Sequence, residues 1–276
     1  MTIKDKYSVL MSVYYKEKAE YIKLAIQSML DQTIFPDEFI IVKDGPLTIE
    51  VDQIIEQFIK QYPKLFTIIA IEKNLGLGPA LAKGILASKN ELIARMDSDD
   101  FATKNRCEKQ LTYFKKDSQL GIVGSYEAEF VNDIKTVTSI HRVPERNKDI
   151  IAYMKRRCAI LHPTVMFKRS EVIKAGNYQA VYLFEDYDLF ARMVFENNTK
   201  CYNIQEVLYY IRTGDEFFKR RGGMQYAKTS LRFRWDLYKK GNISLFDFCV
   251  SGLGQAIICV IPNKARKLFY LRILRR

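Results

Sequence analysis

The chain has no Cys-x-x-Cys pair and no even set of cysteines. Its five, Cys107, Cys158, Cys201, Cys249 and Cys259, lie far apart. That excludes a disulfide framework and a zinc ribbon, and it fits a reducing compartment with thiols in the core. Met1 to Tyr7 lacks the apolar core of a signal peptide, so the body of the protein is expected in the cytoplasm. The apolar stretch from Phe248 to Ile261 is shorter than the ~20 residues that span a bilayer. No Gly-x-x-x-x-Gly-Lys-Ser/Thr phosphate loop occurs. Gly76-x-Gly78 lacks the third glycine of a dinucleotide fingerprint, because Leu81 stands there. A nicotinamide or flavin site is therefore not expected. No recognisable nucleic-acid motif is present either.

What is present is a globular composition: 276 residues, 48% hydrophobic and 28% charged. This suits one large α/β domain, or a domain with an appendage. The formal net charge is +12, which favours an anionic partner such as nucleotide phosphates, nucleic acid or an acidic membrane surface.

Apolar runs and helical spacings alternate along the first hundred residues. Tyr7 to Val13, Glu38 to Val42, Phe66 to Ile71 and Glu91 to Asp97 read as buried strands. Ala19 to Leu30, Val51 to Gln61 and Ala80 to Ser88 read as helices. Gly76 and Gly78 permit a close backbone approach, and Pro79 fits a first helical turn. Near-continuous apolar strands alternating with helices predict a mostly parallel sheet covered on both faces. Farther on, Lys104 to Lys116 predicts a helix, Gly121 to Gly124 a short strand, and residues 126 to 150 a mixed polar stretch. Lys155 to Arg157 is expected within a helix, Ile160 to Phe167 as a strand broken at Pro163, and a helix from about Glu185.

Ligands of such sheets bind beyond the carboxyl ends of the strands. Ser12 and Tyr14, Asp44, and the pair Asp97 and Asp99 fall at those ends. A bare Asp-Ser-Asp-Asp is more often a surface turn capping the next helix. If the strand continues that far, however, Asp97 and Asp99 share a face. Carboxylates so placed hold a divalent cation such as Mg2+ or Mn2+, with substrate phosphates completing the shell. Glu185 and Asp186 open their helix, where the macrodipole also favours acids.

The order of motifs resembles the family 2 glycosyltransferases of GT-A fold over roughly residues 7 to 215. The matching segments are Tyr7–Tyr14, Ala25–Thr33, Ile40–Gly45, Asn74–Gly76, Ile93–Asp100 and Phe184–Leu189. Similar bacterial enzymes build capsule, O-antigen or exopolysaccharide units. The resemblance implies a metal-dependent, inverting, single-addition transfer from a nucleotide sugar, with a UDP-sugar expected, to a lipid-linked saccharide. It places Ser12 and Tyr14 beside the base and Asp44 on the base. It makes Asp99 the metal ligand, Asp97 a metal or ribose contact, Asp186 the general base and Glu185 its assistant. Mn2+ or Mg2+ is the implied cofactor. Residues 1–125 would bind the nucleotide sugar and 126–215 the acceptor, giving a catalytic domain over 1–215.

Lys43 stands where such enzymes often carry a second aspartate, which alters base recognition or adds a phosphate contact. Arg232 to Trp235 lacks the glutamine of the Gln-x-x-Arg-Trp motif of processive synthases. Arg212 to Gly223, rich in glycine and charge, is the expected mobile segment. Residues 216–276 form a helical, basic end. Pro262 to Arg276 interleaves cations with Leu, Phe and Tyr, which suits an anionic lipid surface. The expected location is therefore peripheral, on the cytoplasmic face of the inner membrane. His162 is expected as a packed or capping histidine rather than an acceptor contact, and Arg192 as a salt-bridge residue on its helix rather than an acceptor clamp. The competing readings are a sugar-nucleotide nucleotidyltransferase and a non-enzymatic, basic nucleic-acid-binding protein. The first would carry a glycine-rich basic loop after the first strand, but Tyr14 to Glu17 has no glycine.

Overall fold

A computed structural model describes residues 6–214 and 223–260. Four strands form the first half: β1 (Tyr7–Val13), β2 (Glu38–Asp44), β3 (Phe66–Ile71) and β4 (Leu92–Asp97). They run parallel in the order β3-β2-β1-β4. The connections are α1 (Ala19–Leu30), α2 (Ile49–Gln61) and α3 (Leu77–Ala87). Thr48 caps α2 by accepting the Val51 N–H, the role expected of a hydroxyl just before a helix.

The strands are apolar on both faces because both are covered. On one face Val9, Met11, Phe39 and Ile41 pack with Ile22 and Ile26 of α1 and Ile55 of α2. On the other, Leu10, Ile40, Val42 and Ile93 pack with Leu81 and Ile85 of α3. This second face carries the chemistry.

The second half is β5 (Phe101–Ala102), α4 (Arg106–Lys116), β6 (Leu120–Phe130), β7 (Val137–His141), α5 (Asn147–Met154), a 3-10 turn at His162–Thr164, β8 (Met166–Lys168), α6 (Arg169–Lys174), α7 (Glu185–Ala191) and β9 (Lys200–Arg212). A π-helical turn, Arg192–Glu196, follows α7. The nine-stranded sheet continues β4-β8-β6-β9-β5, with β7 on β6. β8 is antiparallel to β4 and to β6, β6 and β9 are parallel, and β5 is antiparallel to β9. Because β5 follows β4 directly yet pairs with β9, the far side of the sheet curls back over the carboxyl end of β4.

Several expectations change. The strand expected at Gly121 to Gly124 is eleven residues long, and the polar stretch after it forms the rest of β6, β7 and α5. Its buried acids, Glu127 and Glu129, disguised it. Lys155 to Arg157 lie just past α5, with Lys155 as its C-cap. Only Met166 and Phe167 of the run from Ile160 are strand, in β8, because Pro163 lies within the 3-10 turn His162–Thr164.

Two helices close the described chain, α8 (Met224–Lys239) and α9 (Leu245–Val260). Phe233 of α8 stacks on Phe184 at 5.2 Å and meets Tyr187 at 4.9 Å, docking α8 against α7. Trp235 and Phe248, 5.4 Å apart, join α8 to α9. The boundary expected at 215–216, most of the segment 212–223 and the basic tail 262–276 lie outside the described residues.

Candidate active site

β1 and β4 lie in a register that pairs Ser12 with Asp97, and β1 pairs Ser12 with Val42 of β2. Alternation then puts Ser12, Asp97 and Asp44 on one sheet face, the face of Leu10, Ile40 and Ile93. The three strand ends thus bring their polar groups together.

Arg95 precedes Asp97 by two residues and so shares that face. Its side chain is only 2% exposed, and it grips Asp97 with both terminal nitrogens, Nη1 at 2.7 Å from Oδ2 and Nη2 on Oδ1. Burial works against the guanidinium charge, and the Asp97 carboxylate more than restores it. The Asp97 N–H donates to the Tyr209 hydroxyl of β9 at 3.0 Å. Beneath, the buried Arg106 donates to the carbonyls of Arg95 (2.7 Å) and Val165 (3.2 Å).

The strand ends at Asp97, so the two-residue alternation stops short of Asp99. Ser98 and Asp99 form a turn. Asp99 faces Glu17, from the loop after β1, and Arg212, at the end of β9. Burial first, then the charges of Asp97 and Glu17, push the Asp99 carboxyl up to about 7, while Arg212 pulls it down. Glu17 is also raised, chiefly by burial, and accepts the Ser98 hydroxyl at 2.5 Å. Arg212 donates Nε to the Asp99 carbonyl at 3.0 Å and its N–H to buried Asp100 at 2.7 Å. Its guanidinium lies 3.9 Å from the Tyr21 ring centroid and 4.5 Å from that of Phe130.

Asp44 is 3% exposed. Its two oxygens accept the N–H groups of Leu75 (2.7 Å) and Gly76 (3.0 Å), fixing the loop that opens α3. Gly76 has φ +92°, a conformation that glycine adopts without strain. A Cβ on Gly78 would stand 2.6 Å from the Gln179 carbonyl oxygen and 3.2 Å from Glu185 Cβ. Only glycine lets α3 come this close to the start of α7. Tyr14 lies on the loop after β1, edge-on to Tyr15 at 5.8 Å. Lys43 is bound to Asp52 of α2 at 2.7 Å.

α7 brings Glu185 and Asp186. Burial, then the Asp186 charge, push the Glu185 carboxyl up to about 7; Asp97 adds to this and Arg95 subtracts. The acids of α7 and of β4 therefore lie within electrostatic reach of one another. Tyr178 joins them, its hydroxyl raised by burial and sensitive to Arg95, Asp186, Glu185 and Asp97. His162 Nε2 lies 2.8 Å from the Tyr178 hydroxyl, and burial followed by the Arg95 charge keeps this ring neutral. It is the packed histidine that was expected. Arg192 forms the expected pair with Asp188, at 2.6 Å.

Sequence reasoning missed Arg95, Glu17, Arg212 and Tyr178. Arg95 alone left a signal: a cation inside an apolar strand, two residues from an aspartate. Among the described residues no three His, Cys, Asp or Glu side chains form a ready-made metal cage.

A sequence profile described as glycosyl transferase family 2 matches residues 8–175. The UDP-Gal:alpha-D-GlcNAc-diphosphoundecaprenol beta-1,3-galactosyltransferase of Escherichia coli is 35% identical, over 98% of this chain and 97% of that protein. The amylovoran biosynthesis glycosyltransferase AmsE of Erwinia amylovora is 32% identical, over 82% and 83%. Among solved structures, the mannosyltransferase PcManGT from Pyrobaculum calidifontis, in complex with GDP-Man and Mn2+, superposes with a TM-score of 0.64 at 12% identity, covering 94% of this chain and 71% of that one. S. aureus TarS 1–349 in complex with UDP-GlcNAc gives 0.59 at 17% identity, over 97% and 87%. The last two likenesses concern the fold, which is GT-A.

Proposed function

The chain belongs to glycosyl transferase family 2 and is a glycosyltransferase, and from that premise we propose an inverting, divalent-cation-dependent transfer in surface-polysaccharide synthesis. One sugar passes from a nucleoside diphosphate, UDP in our reading, to a lipid-linked saccharide. The observation that carries this reading is that α7 opens against α3 at Gly78, which brings Glu185 within electrostatic reach of the Arg95–Asp97 pair of β4.

In this reading the acceptor hydroxyl loses its proton to Asp186 as its oxygen bonds to the anomeric carbon. The bond from that carbon to the diphosphate oxygen breaks on the opposite side, which inverts the configuration. Glu185, protonated near neutrality, orients the hydroxyl. Ser12 and Tyr14 border the base, and Asp44 binds it or holds the loop of Gly76 beside it. Residues 1–125 serve the donor and 126–215 the acceptor.

The residues fit a cation. Asp99 is held partly protonated by burial and by two neighbouring carboxylates, a strain that Mg2+ or Mn2+ relieves. Magnesium ordinarily takes one or two carboxylates and leaves the rest of its shell to phosphate and water. Asp99 would hold the ion, with Asp97 beside it, and a bound divalent cation would supply positive charge against the leaving diphosphate. The GDP-Man and Mn2+ of the mannosyltransferase structure, and the diphosphoundecaprenol in the galactosyltransferase's name, support the cation and the lipid carrier.

No described helix is long and apolar enough to cross a membrane. α9 exposes Phe246 (66%), Val250 (45%) and Leu253 (60%) at helical spacing, with the Arg156 guanidinium 5.2 Å from the Phe246 ring centroid. Arg156 is paired with Asp247 of α9 at 2.7 Å, so it is the exposed apolar row that supports docking on a bilayer surface, which our reading puts at the cytoplasmic face of the inner membrane.

The test is a panel of nucleotide sugars with a diphospholipid-linked saccharide, in Mn2+, in Mg2+ and in EDTA, read as released nucleoside diphosphate. Release from one donor that stops in EDTA is the expected result. Release undiminished by EDTA would refute the cation, and no release from any donor would refute the transfer.

A further inference from the structure

At the opposite end of β6 and β9 from Asp99 lies a cavity of about 480 Å³, within the size range of small-molecule sites. β6 and β9 pair Leu120 with Lys200 at the cavity and Phe130 with Arg212 at the active site. At about 3.3 Å per residue the two ends are on the order of 30 Å apart. The cavity is a separate place, not an extension of the donor pocket.

Its wall is aromatic. Tyr113 of α4 and Tyr202 of β9 stack with ring centroids 4.4 Å apart and planes 24° from parallel. Its rim is cationic, carrying Lys116, Arg146, Lys148 and Lys200. Lys200 is matched by Asp117 at 2.6 Å, and Arg146 only loosely by Glu145 at 4.0 Å. Lys116 has its ammonium 5.6 Å from the Tyr113 ring centroid, and neither Lys116 nor Lys148 forms an ion pair among the described residues. α5 begins at the same rim, and its N-cap, Arg146, makes no side-chain cap. The positive end of the helix faces this rim, offset in part by Asp149 in its first turn.

An apolar ring wall beside two cations that have no ion pair among the described residues, Lys116 and Lys148, and a loosely held third, Arg146, suits a flat-sided ring that bears a negative charge. We propose that this cavity is a second carbohydrate site that binds an anionic pyranoside, its ring against the Tyr113–Tyr202 stack and its phosphate or carboxylate on Lys116, Arg146 and Lys148. The choice of a sugar rests on the transferase reading. The binding test uses no turnover, so the two can fail separately. A free sugar phosphate and an acidic residue within a polysaccharide share this chemistry.

The probes are glucose 1-phosphate and a hyaluronan tetrasaccharide, with glucose and inorganic phosphate as controls. Calorimetry measures affinity, and hydrogen exchange locates the protection. At least one acidic probe should bind about tenfold more tightly than either control and protect residues 146–150 rather than 97–100. The exposed double variant Arg146→Ala/Lys148→Ala should weaken it about tenfold, a shift of about 1.4 kcal/mol, with the melting temperature unchanged. Lys116→Ala should weaken it independently. Preference for glucose 1-phosphate identifies free sugar phosphates as the ligand, and preference for the tetrasaccharide identifies a polymer residue. Phosphate binding as tightly as both probes, protection confined to 97–100, wild-type affinity in the double variant, or no binding would each overturn the proposal.

Discussion

Arg95 sits beneath the site and commits both terminal nitrogens to Asp97. Arg95→Met keeps the length and removes the charge. We expect a loss of about 3 kcal/mol in urea unfolding, at the low end for a broken buried pair because Asp97 retains contact with water. A cost below about 1 kcal/mol would show that the pair is not what holds Asp97. Asp186→Asn is expected to lower turnover by about 10²–10⁴-fold with donor affinity retained; near-normal turnover would remove Asp186 as the base. The pH behaviour follows from Asp99 and Glu185, which titrate at about 7 when folded against ordinary values of 3.8 and 4.5. Between those limits the folded protein holds protons that the unfolded chain has released, so stability falls as pH rises. In EDTA the melting temperature should therefore drop from about pH 4 to about pH 7. Asp99→Asn should flatten the drop, and added Mn2+ should raise the melting temperature most above about pH 7. A slope unchanged by Asp99→Asn would contradict the assignment. At this scale the acids were legible because they cluster at strand and helix ends, whereas Glu17 and Arg212 were not. Glu17 meets Asp99 from the loop after β1 and Arg212 across the sheet's curl, and no local pattern records either meeting.

Among the elements, α3 and α7 meet at Gly78. Gly78→Ala places a methyl 2.6 Å from a backbone oxygen, and an overpacked contact of this kind costs about 1–3 kcal/mol. Turnover should fall with it, because the clash pushes on the segment that carries Glu185. Retained stability and activity together would show that the two helices separate freely. For α9, Phe246→Asp with Leu253→Asp should abolish sedimentation with anionic vesicles at low salt and leave transfer to a water-soluble acceptor intact; unchanged sedimentation would locate membrane contact elsewhere. The extents of β1, β3 and α1 were readable residue by residue, since β1 and the half-buried edge strand β3 are short, mostly apolar runs and an amphipathic helix has strong periodicity. β6 was not, because its buried Glu127 and Glu129 read as surface.

Taken as a whole molecule, the chain's own order determined the parallel half of the sheet, the placing of Ser12, Asp44 and Asp97 at its carboxyl edge, and the family. Each depends on short-range apolar pattern or on motifs a few residues long. Only the tertiary structure decided that Asp44 holds the Gly76 loop, that Lys43 is occupied by Asp52, that Arg95 pins Asp97, and that β9 returns over β4 so that Tyr209 and Arg212 complete the site. Arg95 and Asp97 are two positions apart and Lys43 and Asp52 nine, while the other contacts join residues from about thirty to more than a hundred positions apart. Burial and the curl of the sheet choose among such partners, and apart from the two-residue spacing of Arg95 and Asp97 composition and spacing carry no record of that choice.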